Sequence, residues 1–369
     1  MSDDKIMQKP LKVWEAIGRL SGGGAETQVV MLSKGLVERS IEVSVLYVLR
    51  REMDPELPDC INDHFIPRES KTAWWQVFKT VGELMDAEKP DLVHVWLPEV
   101  ISIPVAFAAY RRGIPVLSSI RRSTFKGVTG LNWFRDLMGL VPHFFARRIV
   151  SNFPLCNEPV VVRWLARRKE AVVIQNGLDL HRYANGSVTD KPLRLVFVGR
   201  FANQKRLPFL LNAIGALPRG AVTLVVYGEG SAESLDEIES IIREHELSDF
   251  VKLEGFQPNW RVYAGDFDFL VTPSISEGMP NVVLEAMAEG VPVIASNIPE
   301  MREVISHGGN GLLFQADCIR ALVDVIESHL DIDLEAMRAC ARETAEKYSS
   351  EIMVSRYIRL YLEVIKEDE

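Results

Sequence analysis

Two glutamates, Glu277 and Glu285, stand eight residues apart in SISEGMPNVVLEAMAEGVPVIAS, residues 274–296. Glu277 falls in a loop, ISEG, between an apolar strand and a helix. The N–H groups of Gly278, Met279 and Asn281, at the start of that helix, have no intrahelical acceptor. A carboxylate in such a place accepts a hydrogen bond from a hydroxyl while the amides hold neighbouring oxygens. Pro280 suits the first helical position, and Gly290 closes the helix. Val283, Ala286, Met287 and Gly290 share one face at i, i+3, i+4 and i+7, so Glu285 lies opposite with Asn281 and Ala288 and points away from the sheet. Periodicity alone leaves it either an exposed helical glutamate or a ligand acceptor.

Two cations occupy the corresponding loop of an earlier strand, FVGRFANQKR, residues 197–206. Arg200 offers a bidentate fork and Lys205 a point charge, which together suit a diphosphate. Near the N-terminus, LSGGGAET, residues 20–27, joins a strand to a helix through three glycines, two of them Gly23 and Gly24. Backbone amides there can approach an anion without side chains intervening. The full dinucleotide fingerprint is absent, and taken alone the glycines are equally well a tight turn. A polyhydroxylated ligand carrying a diphosphate satisfies all three loops. A nucleotide sugar is such a molecule, and Glu285 would accept from its ribose.

These loops need parallel sheets to position them. Residues 12–17, the glycine loop, a helix over 25–39 and a β-branched run over 41–49 read as a βαβ unit, and PDLVHVWLP and IPVLSSI continue as buried strands. Near residue 185 the apolar pattern gives way to Asn, Gly, Asp, Ser and Pro, which places a boundary there. The runs LRLVFVG, AVTLVVYG, VKLEGF, DFLVTPS, VPVIAS and GLLF then predict a second doubly wound α/β domain. The expected domains are residues 1–184 and 185–349, with a terminal helix over 350–369 that carries an apolar face.

The composition, 47% hydrophobic and 25% charged over 369 residues, is that of a soluble two-domain protein. The longest apolar run is about half of a bilayer span. Acidic residues at the N-terminus argue against a secretory signal. Four scattered cysteines indicate neither a zinc site nor a disulfide framework, so the expected location is the cytoplasm. The net charge of −9 hides an asymmetry: residues 1–184 hold 25 basic and 21 acidic residues, net +4, and the remainder 17 and 30, net −13. Twelve lysines and arginines crowd between residues 110 and 170, interleaved with aromatics, and KTAWWQVFK repeats the theme. Such a surface suits an anionic bilayer, and a solvated basic face over core aromatics is nearly as good a reading. Nucleic acid is disfavoured by the overall acidity and the lack of a recognised module.

GGGAET, VFVGRFANQKR, VYGEG, VKLEGFQPNW, DFDFLVTPSISEGMPNVVLEAMAEGVPVIAS and GGNGLLF occur in an order and spacing that resembles the retaining glycosyltransferases of family 4, with the two glutamates forming the E-x7-E element. The resemblance covers nearly the whole chain. It implies a GT-B fold, an α/β architecture of two Rossmann-like domains facing a central cleft, the first on the acceptor side and the second binding the donor. It also implies a C-terminal helix that crosses back to the first domain. By the same resemblance Arg200 and Lys205 would bind and stabilise the leaving diphosphate, and Glu277 with the amides of Gly278, Met279 and Asn281 would hold the sugar. Glu285 would bond the ribose, Gly23 and Gly24 would approach the phosphates, and Phe256 with Gln257 would flank the nucleobase.

On the acceptor side the sequence departs from the pattern. Arg121 stands where many members carry a histidine, and a His-x-His strand end keeps His94 but has Trp96 in the second place. His94 on an apolar strand suits a core residue better than a base, and Arg121 would face the sugar or an acceptor phosphate. Front-face displacement, with the leaving phosphate assisting deprotonation, is the mechanism implied. DFD at 266–268 mimics a metal motif of a different glycosyltransferase fold but leads into a buried strand, so the donor is expected as sole co-substrate and no metal. The acceptor is expected to be a glycan or lipid-linked saccharide, reached by peripheral docking on the cytoplasmic face of the inner membrane. A nucleotide-sugar epimerase or hydrolase of the same fold, or a non-catalytic sugar-binding protein, are the alternatives.

Overall fold

The computed structural model describes residues 10–20, 24–50, 57–67, 74–97, 101–121, 132–155, 158–180, 192–330 and 334–367. The chain divides into two compact units, one formed by residues up to Gly177 together with those from Ser350 on, the other by Leu178–Ser349.

Unit 1 holds β1 (Lys12–Ala16), α1 (Gly24–Val37), β2 (Glu42–Tyr47), β3 (Asn62–Phe65), α2 (Trp74–Glu88), β4 (Leu92–Val95), α3 (Ser102–Arg111), β5 (Val116–Ile120), α4 (Asn132–Phe145), β6 (Arg148–Ser151), α5 (Val160–Arg168) and β7 (Val172–Val173). Its strands form one parallel sheet in the order β3-β2-β1-β4-β5-β6-β7. The crossovers through α2, α3, α4 and α5 all step the same way across the sheet and that through α1 steps the other way. Right-handed connections therefore put α2 to α5 on one face and α1 on the opposite one. The C-terminal helix (Ser350–Lys366) shares the α1 face: its Met353, Val354, Tyr357, Leu360, Tyr361 and Val364 are buried against Val29, Leu32 and Leu36 of α1. Val354 sits so close to Gly35 that a Cβ there would stand 2.4 Å from its side chain, so glycine is what permits the approach.

Unit 2 contains β8 (Leu193–Val198), α6 (Leu207–Gly215), β9 (Val222–Tyr227), α7 (Ala232–Glu244), β10 (Val251–Gly255), a 3-10 segment (Trp260–Asp266), β11 (Phe269–Thr272), α8 (Asn281–Ala288), β12 (Val293–Ser296), α9 (Pro299–Arg302), β13 (Gly311–Phe314), α10 (Ile319–Glu327) and α11 (Glu335–Glu346). The sheet order is β10-β9-β8-β11-β12-β13, again all parallel. The six runs read from sequence are these six strands. The units divide at Gly177/Leu178, earlier than the composition change near residue 185. The Leu178 N–H already donates to the Tyr348 carbonyl at 2.8 Å, and its side chain belongs to the unit 2 core.

In unit 1, His143 of α4 is buried with its Nδ1 2.8 Å from Ser118 Oγ of β5. Burial lowers its pKa from 6.5 to about 4. The folded state thus holds the neutral ring, a contribution present above 6.5 and lost as pH falls through about 4. Chemical denaturation across that window is expected to show unit 1 losing up to about 3 kcal/mol, and His143→Gln should flatten the slope. An unchanged slope in the variant would assign the acid sensitivity to other groups.

Candidate active site

In both sheets the first strand of the unit lies where the order reverses, between β1 and β4 and between β8 and β11. Ligands of open α/β sheets bind outside the carboxyl ends of the strands at such a switch point. In unit 2 the loops leaving β8 and β11 are therefore neighbours, and they are stitched together. The Ile275 N–H donates to the Gln204 carbonyl at 3.1 Å, the Gln204 side-chain amide donates to the Ser276 carbonyl, and Lys205 Nζ donates to Glu277 Oε1 at 2.7 Å. The side chains of Lys205 and Glu277 are only 21% and 9% exposed, which strengthens the pair relative to a surface one.

The sequence pairs Arg200 with Lys205. The structure instead joins Lys205 to Glu277 and leaves Arg200 exposed, with no side-chain hydrogen bond or ion pair among the described residues. An ammonium with a carboxylate acceptor in reach relaxes onto it, so Arg200 is the uncompensated cation of this loop.

Glu285 has a different partner. It is half-buried on α8 and its Oε2 accepts from Trp260 Nε1 at 2.9 Å. Burial raises its pKa, opposed by that hydrogen bond and by the charge of Arg261. The side of α8 turned away from the sheet is not left open to solvent: the 3-10 segment covers it through Trp260, and Ala288 is buried too. Pro280 precedes the helix rather than opening it, and the Asn281 N–H is spent on the Met279 carbonyl at 3.0 Å, so Asn281 does not offer its amide as expected. Gly278 and Met279 are half-buried, and Phe256 is exposed beyond β10.

In unit 1, Gly23 lies outside the described residues, while Gly24 opens α1 and is exposed. His94 is fully buried on β4. Its Nδ1 is 2.9 Å from the Tyr361 hydroxyl and 3.0 Å from Glu15 Oε2, and its Nε2 is 2.7 Å from Ser119 Oγ. Burial lowers its pKa, with Glu15 opposing. Glu15 itself is fully buried on β1 and accepts from Trp96 Nε1 and, at 2.7 Å, from the Tyr361 hydroxyl. Arg121 does not present its charge to solvent. It is 7% exposed, lies 4.1 Å over the Trp96 ring, and donates to Asn176 Oδ1 at 2.9 Å and to the Tyr357 hydroxyl. The C-terminal helix supplies both tyrosines, so the residues read as acceptor-side candidates are engaged within the interior of unit 1. Sequence reading missed Glu15, Tyr357, Tyr361 and Trp260. Their one signal was polar atoms on otherwise apolar faces.

Among the described residues no cluster of His, Cys, Asp and Glu is arranged to hold a metal ion, and no helix is long and apolar enough to cross a membrane.

Residues 22–182 match the family pattern described as Glycosyltransferase Family 4, and residues 192–331 that of Glycosyl transferases group 1. The chain is 27% identical over 236 residues to the GDP-mannose:cellobiosyl-diphosphopolyprenol alpha-mannosyltransferase of Xanthomonas oryzae, a match that takes in 62% of this chain and 61% of that protein. It is 25% identical to the lipopolysaccharide core biosynthesis glycosyltransferase LpsE of Rhizobium meliloti, over 92% of this chain and 95% of that one. Among solved structures, Anabaena HepE in complex with UDP and glucose superposes with a TM-score of 0.77 at 18% identity, covering 96% of this chain and 99% of that chain. Two family patterns thus take in most of the chain, and its fold is shared almost from end to end: it belongs to the group 1 glycosyltransferases of family 4 and has their GT-B fold.

Proposed function

We propose that this glycosyltransferase moves a sugar, with retention of anomeric configuration, from a UDP- or GDP-sugar to a glycan or lipid-linked saccharide in cell-surface polysaccharide or glycolipid biosynthesis. The observation that carries the reading is the Lys205–Glu277 contact at the switch point of unit 2. A donor entering there brings two phosphates for Arg200 and Lys205 and sugar hydroxyls for Glu277, so the Lys205–Glu277 ion pair is replaced by two ligand contacts. As the glycosidic bond breaks, negative charge gathers on the diphosphate. Cations fixed beside it lower the barrier because the charge is larger in the transition state than in the bound donor. Side chains neutralise the diphosphate in this reading, and no metal is called for. Gly278 and Met279 flank the sugar, Glu285 accepts from the ribose, and Phe256 flanks the nucleobase. Unit 1 is the acceptor side, working at the cytoplasmic face of an anionic membrane.

The relatives support both donor classes and a lipid carrier: one is named for GDP-mannose and a diphosphopolyprenol acceptor, and one was solved with UDP and glucose. Incubation with UDP- and GDP-sugars, with and without lipid-linked saccharides, tests the proposal. Acceptor-dependent product with the donor's anomeric configuration is expected. Epimerisation or hydrolysis alone, or binding without turnover, would replace it with one of the alternative readings.

A further inference from the structure

The outer side of the α2–α5 layer of unit 1 carries a continuous run of aromatic rings that the donor chemistry does not use. Trp75 stacks on Phe78 with centroids 5.4 Å apart, Phe78 stacks on Phe107 at 5.4 Å, and Phe107 meets Phe145 at 5.4 Å. Phe145 in turn meets Tyr110 at 5.5 Å. The ladder thus crosses three helices and runs outward from the core: Phe78 and Phe145 are partly buried against it, whereas Trp75, Phe107 and Tyr110, with Phe144 beside the ladder, stand out. Trp75 is 72% exposed, Tyr110 60% and Phe144 51%, and Trp164 and Val160 of α5 stand out at 50% and 71%. Large apolar side chains exposed singly are ordinary, whereas a connected set across neighbouring helices marks a contact surface.

The charge on two of these helices has one sign. Neither α3 nor α5 contains an acidic residue. Arg111, Arg163, Arg167 and Arg168 are exposed and have no ion pair among the described residues, and Arg168 lies over the Trp164 ring at 5.6 Å. Lys169 reaches back to the Phe144 carbonyl at 3.1 Å and joins the basic end of α5 to the aromatic end of α4. Counter-charges lie at the two borders: Asp86 holds Arg112 and Glu83 holds Lys79 on the α2 side, and Glu170 with Glu367 holds Arg148 beyond α5. Rings that are apolar in body and wet at the edge, bordered by exposed arginines, match the interface of a bilayer with acidic headgroups.

We infer that the Trp75–Phe78–Phe107–Phe145–Tyr110 ladder and the arginines of α3 and α5 form the surface by which unit 1 docks on an anionic lipid bilayer. The inference rests on the lipid-linked-acceptor reading above and deepens it by naming the surface. The ladder supplies affinity for any bilayer interface, and the arginines supply the preference for acidic lipid and its sensitivity to salt.

The test uses the full chain and vesicles that contain neither donor nor acceptor, so that docking is measured apart from transfer. Sedimentation with phosphatidylcholine vesicles and with vesicles that also hold phosphatidylglycerol is expected to show at least about tenfold stronger binding to the acidic set at low salt, fading at high salt. The combined Trp75→Ser, Tyr110→Ser and Phe144→Ser variant should lose binding to both sets by about tenfold. The combined Arg111→Gln, Arg163→Gln, Arg167→Gln and Arg168→Gln variant should lose only the preference for acidic lipid. All of these side chains are exposed, and both variants should keep wild-type circular dichroism and nucleotide binding. Equal partitioning of the wild type onto the two vesicle sets, or wild-type binding by either variant, overturns the assignment. So does a dimer of the wild type that the aromatic variant dissolves, which would give the ladder to a second copy of the chain. Transfer to a water-soluble acceptor, assayed separately, reports on the functional reading whatever the vesicles show.

Discussion

Lys205→Ala and Glu277→Ala are each expected to leave both units folded and to lower sugar transfer by about a hundred- to a thousandfold, the usual effect of removing one fixed stabiliser of developing charge. The two substitutions separate in their effect on the nucleotide. Lys205 is held by Glu277 at 2.7 Å, so a diphosphate must compete with that carboxylate. A partly exposed pair of this kind contributes about 1 kcal/mol. Glu277→Ala releases the ammonium and should therefore bind a bare nucleoside diphosphate up to about fivefold more tightly, even as it loses the sugar. Lys205→Ala should bind it more weakly, and because the residues touch, the double variant should depart from additivity. Calorimetry with UDP and GDP measures the first effect, and a transfer assay measures the second. Wild-type turnover in both single variants would remove the assigned roles, and weaker nucleotide binding by Glu277→Ala would mean that the pair does not compete with the ligand.

The placing of Lys205 and Glu277 was legible because both follow buried parallel strands, which read as unbroken apolar runs, and the residue after such a run is at a strand's carboxyl end wherever the strand sits. What could not be read is which loop lies beside which. The adjacency of β8 and β11 comes from the sheet order, and it couples Lys205 to Glu277 rather than to Arg200. The helical period of α8 gave Glu285 a direction but not a cover, since Trp260 comes from a 3-10 segment twenty-five residues earlier in the chain. Unit 1 was harder for local reasons. Strand β3 is NDHF, a polar edge strand with no apolar alternation, and β6 is four residues long within the arginine-rich stretch. The C-terminal helix announced an apolar face, whereas the polar contacts it makes join residues 267 and 346 positions apart.

Those contacts carry the second large expected effect, Glu15→Ala lowering the stability of unit 1 by about 3–5 kcal/mol. Glu15 is a carboxylate with no exposure in the middle of a parallel sheet, and three groups lean on it: Trp96 Nε1, the Tyr361 hydroxyl at 2.7 Å and His94 Nδ1 at 3.0 Å. Truncation deprives buried donors of their acceptor and leaves a void, and each unsatisfied donor costs about 1–3 kcal/mol. Tyr361→Phe removes one donor and leaves the others on Glu15, so it should cost only about 1–2 kcal/mol. Hydrogen exchange should show the C-terminal helix opening first in both variants, because its hydroxyls are what the strands hold. The wild-type contact has a pH window set from both sides. Burial lowers the His94 pKa below 6.5, so the neutral ring's contribution is present above that value and is lost as pH falls through the folded one. Burial raises the Tyr361 pKa well above 10.0, so the neutral hydroxyl's contribution is present below that value and is lost as pH rises through the folded one. Denaturant titrations of the two variants between these limits measure the difference directly, and a Glu15→Ala loss no larger than that of Tyr361→Phe would show that the tyrosine, not the carboxylate, anchors the helix.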